Sequence, residues 1–386
     1  MFGFNFINRQ LKILIFPEFL GYKALAFCPN YAKEIVSLIS SQKWLFHNFN
    51  LEDESNLYDI SNYLLAKKIY NRKYTIVLDT NIYDFLLKIV RNPDKEKHRG
   101  AAALLAFCQL SEIEINPFFA VHEKLESDSI DNILDDLTLF NRINNSETTA
   151  LANYALSKSS HINLNHNTDL ARNSIKQEIL SYQKPDEWKS LYLMTLKIVA
   201  IKYDESVSDR KKLSTYLKWL VEDFRMGVPS LVYALVIFGC KPIKRMMKYN
   251  PSDATCDKSK NIRNMTWDLF IIRHFFKKWE NKKEDEEFLF ASDDNAFGKI
   301  LLIAIHVYKE RNFDSCKNHG YINSSDLTKL NALFNQAINI ENRVYKSPNF
   351  TCEDRSNHRD SLISQLEIEL GILCSHSQAP RGNAAG

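Results

Sequence analysis

A chain of 386 residues that is 45% hydrophobic and 12% aromatic can fill one large core or two ordinary ones, and with 10 glycines and 10 prolines it is not a low-complexity chain. A formal net charge of +3 excludes any nucleic-acid argument built on overall basicity, so such an argument must be local. The seven cysteines are odd in number and contain no CxxC pair, which indicates reduced thiols in a cytoplasmic protein rather than a disulfide framework.

In chain order, Tyr31–Ser40 and Leu57–Ile69 place apolar residues at helical spacing, within an N-terminal extension of residues 1–70. Leu11–Phe16 is too short for a signal peptide and runs into Pro17 and Glu18. The run Tyr74–Leu78 is β-branched or aromatic up to its final leucine, the pattern of a strand buried on both faces. Asp79-Thr80-Asn81 ends it with good capping residues, and Ile82–Val90 has helix periodicity. A charged loop, Arg91–Gly100, leads to a helix over Ala101–Leu110. A second strand is expected at Glu112–Phe119, with a helix starting at Ala120–Glu126.

Residues 130–250 read as mainly helical, with Lys212–Phe224 strongly amphipathic. Val228–Cys240 is the longest apolar stretch and falls short of the roughly 18 residues of a spanning segment, so no membrane partner is expected. Asn250–Asn261 reads as a polar loop, Met265–Trp279 as a helix and Glu280–Glu287 as a charged loop. Phe288–Ala291 reads as a short buried strand followed by Ser292-Asp293-Asp294 and a helix over Phe297–Glu310. Two further helices around a polar loop at Lys346–Asp360 complete the chain, and Ser375–Gly386 is a small, polar tail.

This order of elements predicts an α/β fold, a small parallel sheet flanked by helices, with a large helical insertion and helical terminal extensions. The domain boundaries follow: 1–70 as extension, 71–310 as the α/β domain with the insertion at about 130–255, and 311–386 as C-terminal helices and tail.

In an open parallel sheet, functional groups gather at the carboxyl ends of the strands. Here those ends carry Asp79, Glu123, Asp293 and Asp294, while Asp268 interrupts an otherwise apolar helix pattern. Converging carboxylates repel one another and need a cation. Hard Mg2+ or Mn2+ ions take oxygen ligands and retain waters that can attack a phosphodiester.

Two of these stretches carry a family resemblance. Ile76-Val77-Leu78-Asp79-Thr80-Asn81-Ile82 resembles the opening motif of PIN-domain nucleases, and Ser292-Asp293-Asp294-Asn295-Ala296-Phe297 is similar to the family's late motif, with Asp294 as the matching acid. Asp268 fits the acid on the helix before the last strand, and Glu123 the acid on the helix after the second strand, with Glu126 one helical turn away. The resemblance covers about a third of the chain. It implies a Mg2+- or Mn2+-dependent endoribonuclease whose metal set is Asp79, Glu123, Asp268 and Asp294. Thr80, Asn81 and Ser292 would then support the carboxylates, and Arg263 and Asn264 would meet phosphate.

The segment Lys241–Tyr249 joins four cations to an aromatic residue. Lys244 and Arg245 there are candidates for tracking an RNA backbone, against the plainer reading of a solvated helix face. Such a nuclease needs restraint, and the helical additions are natural places for an inhibitory or regulatory partner or an oligomer interface, as in a toxin or defence effector. The competing expectation is a catalytically inactive PIN-like scaffold that binds RNA or protein.

Overall fold

The computed structural model describes residues 11–15, 25–47, 57–91, 95–165, 171–181, 186–225, 227–340 and 351–372. The tail at Ser375–Gly386 and parts of the N-terminal extension lie outside them. The protein is a mostly helical α/β protein with a small, open, four-stranded sheet, mostly parallel. Two compact units divide it, residues 1–183 with 275–295, and residues 184–274 with 296–386.

The first unit begins with an antiparallel pair, β1 (Leu11–Ile15) and β2 (Leu25–Pro29). Then come α1 (Ala32–Gln42), β3 (Leu45–Phe46), α2 (Ile60–Tyr70), β4 (Lys73–Leu78), α3 (Thr80–Arg91) and α4 (Glu96–Leu110). They are followed by β5 (Glu114–Asn116), α5 (Phe118–Lys124), α6 (Ile130–Asn144), α7 (Thr148–Ala155) and α8 (Arg172–Ser181). The second unit opens with α9 (Asp186–Tyr203), α10 (Asp209–Glu222) and α11 (Val228–Phe238), then a 3-10 turn at Lys244–Met246. The long helix α12 (Thr255–Glu280) returns the chain to the first unit for β6 (Glu286–Ala291). Helices α13 (Asn295–Glu310), α14 (Asp314–Asn318), α15 (Ser324–Ile340) and α16 (Cys352–Glu369) complete the second unit.

The sheet order is β3-β6-β4-β5. Strand β4 is central and parallel to both neighbours, pairing Leu78 with Ala291 of β6 and Thr75 with Glu114 of β5. Its Ile76 and Leu78 are fully buried while Thr75 and Val77 on the other face are half-buried, so the strand is fully buried on one face rather than on both. The edge strand β3 runs antiparallel to β6, so the N-terminal segment supplies part of the sheet as well as packing on it.

Beside the sheet stands α4, whose residues from Gly100 to Cys108 are all buried. A helix apolar on every side belongs in the middle of a core. Its alanines let α1, α3 and α7 approach closely, and each fully buried Leu or Phe on it stabilises the unit by about 1.5–3 kcal/mol. Gly100 matters for the same reason, since a Cβ there would lie 3.0 Å from the Trp44 ring.

Several expected boundaries move, each for a local reason. The strand expected over Glu112–Phe119 shrinks to Glu114–Asn116. Glu112 adopts a left-handed turn, and Pro117, which has no N–H to donate, starts α5 while Asn116 Oδ1 accepts the Phe118 N–H at 2.8 Å. The charged loop after α3 is shorter than Arg91–Gly100, because α4 begins at Glu96 with solvated first-turn side chains. The polar stretch Asn250–Asn261 is a loop only to Ala254, and helix begins at Thr255. Likewise α16 starts inside Lys346–Asp360, where Thr351 and Asp354 form a reciprocal capping box. Strand β6 begins at Glu286 rather than Phe288 because Glu287, buried against the sheet, is paired with His47 and Lys282. The segment Lys241–Tyr249 is a 3-10 turn in extended chain, not a helix face.

The insertion expected from about residue 130 also divides differently. Ile133, Leu134, Phe140, Ile143, Leu151 and Tyr154 belong to the same core as Ile76 and Leu78, so α6 and α7 are integral to the first unit.

The second unit is helical. Helix α9 packs against α10, α11 and α16, and α10 against α15, around residues such as Leu193, Val199, Leu217 and Tyr233. No helix among the described residues is long and apolar enough to cross a membrane.

Candidate functional site

The two strand-end motifs meet. Because β4 and β6 are parallel neighbours in register, Asp79 and Ser292 leave the sheet side by side, and the ladder continues past both ends. The Asp79 N–H donates to Ala291 O at 2.9 Å, and the Ser292 N–H donates to Trp44 O at 3.0 Å. Thr80 is the first residue of α3, so Asp79 also sits where the amide-rich, partially positive end of a helix favours a carboxylate.

Asp79 is half-buried and strongly oriented. Its Oδ1 accepts the Thr80 N–H at 2.8 Å. Its Oδ2 accepts the Asn81 side-chain amide at 2.7 Å and the Ser292 hydroxyl at 2.5 Å. The first of these bonds is local, to the amide of the next residue. The bond from Ser292 is not, since it comes from 213 residues away in sequence. Ser292 is almost fully buried and uses its hydroxyl in both senses, donating to Asp79 and accepting the Asp294 N–H at 3.0 Å. Asn81 adds a further tie, its Oδ1 accepting the Asp293 N–H at 3.1 Å.

The third strand end brings Glu123. It lies on α5, which follows β5, and its Oε2 accepts the Thr80 hydroxyl. Glu123 is therefore the acid of this helix tied to the β4 motif. Glu126 follows the end of α5, its N–H donating to Glu123 O at 3.1 Å. The neighbouring His122 is buried and packed on Phe118 at 4.3 Å between ring centroids, and burial pushes its pKa down to about 4. It is a neutral, structural histidine at neutral pH.

Asp293 and Asp294 have different surroundings. Asp293 Oδ1 accepts the Trp44 indole N–H at 2.9 Å, and its Oδ2 is paired with Lys97. Asp294 is held through its backbone on Ser292. Neither Trp44 nor Lys97 was expected from sequence. They reach Asp293 across separations of 249 and 196 residues, and the only signals were a Trp before a short apolar run and a lysine in a charged loop.

The remaining candidates belong to the second unit. Asp268 lies on α12 with its carboxylate paired to Lys248 at 2.8 Å, while Arg273 of the same helix pairs with Glu187 at 2.7 Å. Arg263 is exposed and Asn264 half-buried on the same helix, and Lys244 and Arg245 are exposed on the 3-10 turn.

Asp79, Glu123 and Asp294 offer hard oxygen donors suited to Mg2+ or Mn2+. Among the described residues, no three or more His, Cys, Asp or Glu side chains stand together as a metal-holding group, so a closed carboxylate cage is not present. Comparison of the chain with protein-family models, with curated proteins and with solved structures gave no match.

Proposed function

We propose that this protein is a PIN-like, metal-dependent endonuclease that cleaves RNA in the cytoplasm, with its reaction centre around Asp79. The observation that carries the reading is the 2.5 Å hydrogen bond from Ser292 to Asp79, which ties two acidic motifs far apart in sequence into one strand-end cluster. Supporting it are the parallel pairing of β4 with β6 and the link from Thr80 to Glu123.

In this reading Asp79 and Asp294 hold the ion and Glu123 completes the cluster. A bound Mg2+ or Mn2+ supplies an acidified water as nucleophile and neutralises charge developing on the phosphodiester. The chain's own contribution is orientation. Thr80, Asn81 and Ser292 fix Asp79 with neutral donors, which order a carboxylate without cancelling its charge. Lys97 and Trp44 fix Asp293, the acid beside the cluster.

The direct test is Asp79→Asn, assayed for Mn2+-dependent cleavage of single-stranded RNA alongside circular dichroism. The variant is expected to keep the fold and lose cleavage; cutting at the wild-type rate would refute the reading.

A second reading is a catalytically inactive PIN-like scaffold that binds RNA or a protein partner. It is favoured by one observation, the absence of a preformed group of three acids among the described residues. Saturable Mn2+ binding that depends on Asp79 separates the two.

A further inference from the structure

A cleft of about 780 Å³ lies between α3, the first turn of α4 and the end of α5 in the first unit. Its walls carry Lys88 and Arg91 from α3, Lys95 and Lys97 at the start of α4, and Lys124 from α5. Against these five cations stand two lining acids, Asp84 and Glu96, and two acids outside the lining, Asp136 and Asp293, which pair with Arg91, Lys124 and Lys97. The local basic patch that overall composition could not reveal is here.

Its cations are of two kinds. Lys124 is largely buried and bridges Asp84 at 2.9 Å and Asp136 at 3.0 Å, while Arg91 closes on the same Asp136 at 2.5 Å. These pairs neutralise the buried Asp136 and brace the cleft wall. The Lys88 and Lys95 side chains are exposed and, among the described residues, enter none of the ion pairs that brace Arg91 and Lys124, so their charges face solvent. Between cleft and acid cluster stands Lys97, which lines the cleft and pairs with Asp293, whose own N–H is held by Asn81 of the Asp79 motif. Lys97 thus links the cleft to the strand-end acids.

We propose that this cleft is the track for the phosphodiester backbone of single-stranded RNA entering the Asp79 centre, with Lys88 and Lys95 as direct phosphate contacts and Lys97 as the hand-over residue. The identity of the ligand rests on the nuclease reading.

The test is fluorescence anisotropy of a labelled single-stranded RNA on the full chain in EDTA, where cleavage cannot occur, over a series of salt concentrations. Lys88→Gln/Lys95→Gln removes two exposed charges without touching the braced pairs, and is expected to weaken binding about tenfold. It should also reduce the slope of log affinity against log salt by roughly 1.4, at about 0.7 per phosphate contact. Lys244→Gln/Arg245→Gln should leave both within twofold. Competition with inorganic phosphate and with polyphosphate of matched charge separates a backbone track from a general anion site: RNA should displace polyphosphate, and free phosphate should compete only weakly.

Wild-type affinity and slope in the Lys88/Lys95 variant would overturn the track, as would failure of the wild type to bind RNA or free phosphate competing as well as RNA. Failure of the nuclease reading is seen separately. Asp79→Asn should bind RNA as the wild type does in EDTA, so a variant that binds normally and still cleaves sinks the Asp79 centre while leaving the track intact.

Discussion

Asp79 and Asp268 are both acids set among apolar residues, and the two regions of the molecule treat them in opposite ways. Around Asp79 the hydrogen bonds come from a backbone amide, a carboxamide and a hydroxyl, delivered by two strand ends and the start of a helix. Around Asp268, on the α12 helix, an ammonium from Lys248 answers the charge directly. Neutral donors orient a carboxylate without themselves cancelling its charge. At Asp268 a lysine supplies the opposite charge from within the chain. The first arrangement suits a ligand for a metal, and the second suits a structural ion pair.

That contrast makes predictions that can break it, the largest first. Ser292→Ala removes the bond that joins the two motifs, and should lower metal-dependent cleavage by about 10–100-fold, measured as initial rate at saturating Mn2+, with little change in thermal midpoint. Leu104→Ala, in the fully buried α4, should cost about 2–5 kcal/mol in denaturant unfolding and leave the Mn2+ dependence of the folded protein unaltered.

Lys248→Met should cost about 1–2 kcal/mol of stability by removing the ion pair with Asp268, and Asp268→Asn in the same background should restore most of it. If Asp268→Asn instead abolishes cleavage as Asp79→Asn is expected to, the contrast fails and Asp268 joins the reacting acids, as the family resemblance implied.

The smallest effect concerns pH. His122 is neutral in the folded protein because burial lowers its pKa to about 4, against 6.5 when unfolded. Its contribution is fully present above pH 6.5 and is lost as pH falls towards 4, since protons then favour the unfolded chain. His122→Asn should flatten the stability profile between those values, as read from urea midpoints across that range.

The contrast also explains which parts of the molecule were legible in the sequence. The motif Asp79-Thr80-Asn81 after a buried run, and Ser292-Asp293-Asp294 after another, could be read because each is contiguous and each residue type has a local reason to be there. The α/β class followed from their order. What could not be read was supplied by chain far away. Trp44 comes from a segment that looked like an extension and proves to be an edge strand. Lys97 sits in a charged stretch whose helical first turn is solvated and so shows no apolar period. The start of α12 was hidden in the same way, because Thr255–Asn261 is polar and only the following turns are buried. Periodicity reports burial, so helix ends that project into water fall below its reach.

The claim that Asp79 is a metal-anchoring carboxylate is tested most directly by calorimetric titration of Mn2+ into the wild-type protein and into Asp79→Asn. Saturable binding in the wild type, lost in Asp79→Asn and retained in Lys88→Gln/Lys95→Gln, is the predicted result. Absence of binding in the wild type, or equal binding in Asp79→Asn, would contradict it.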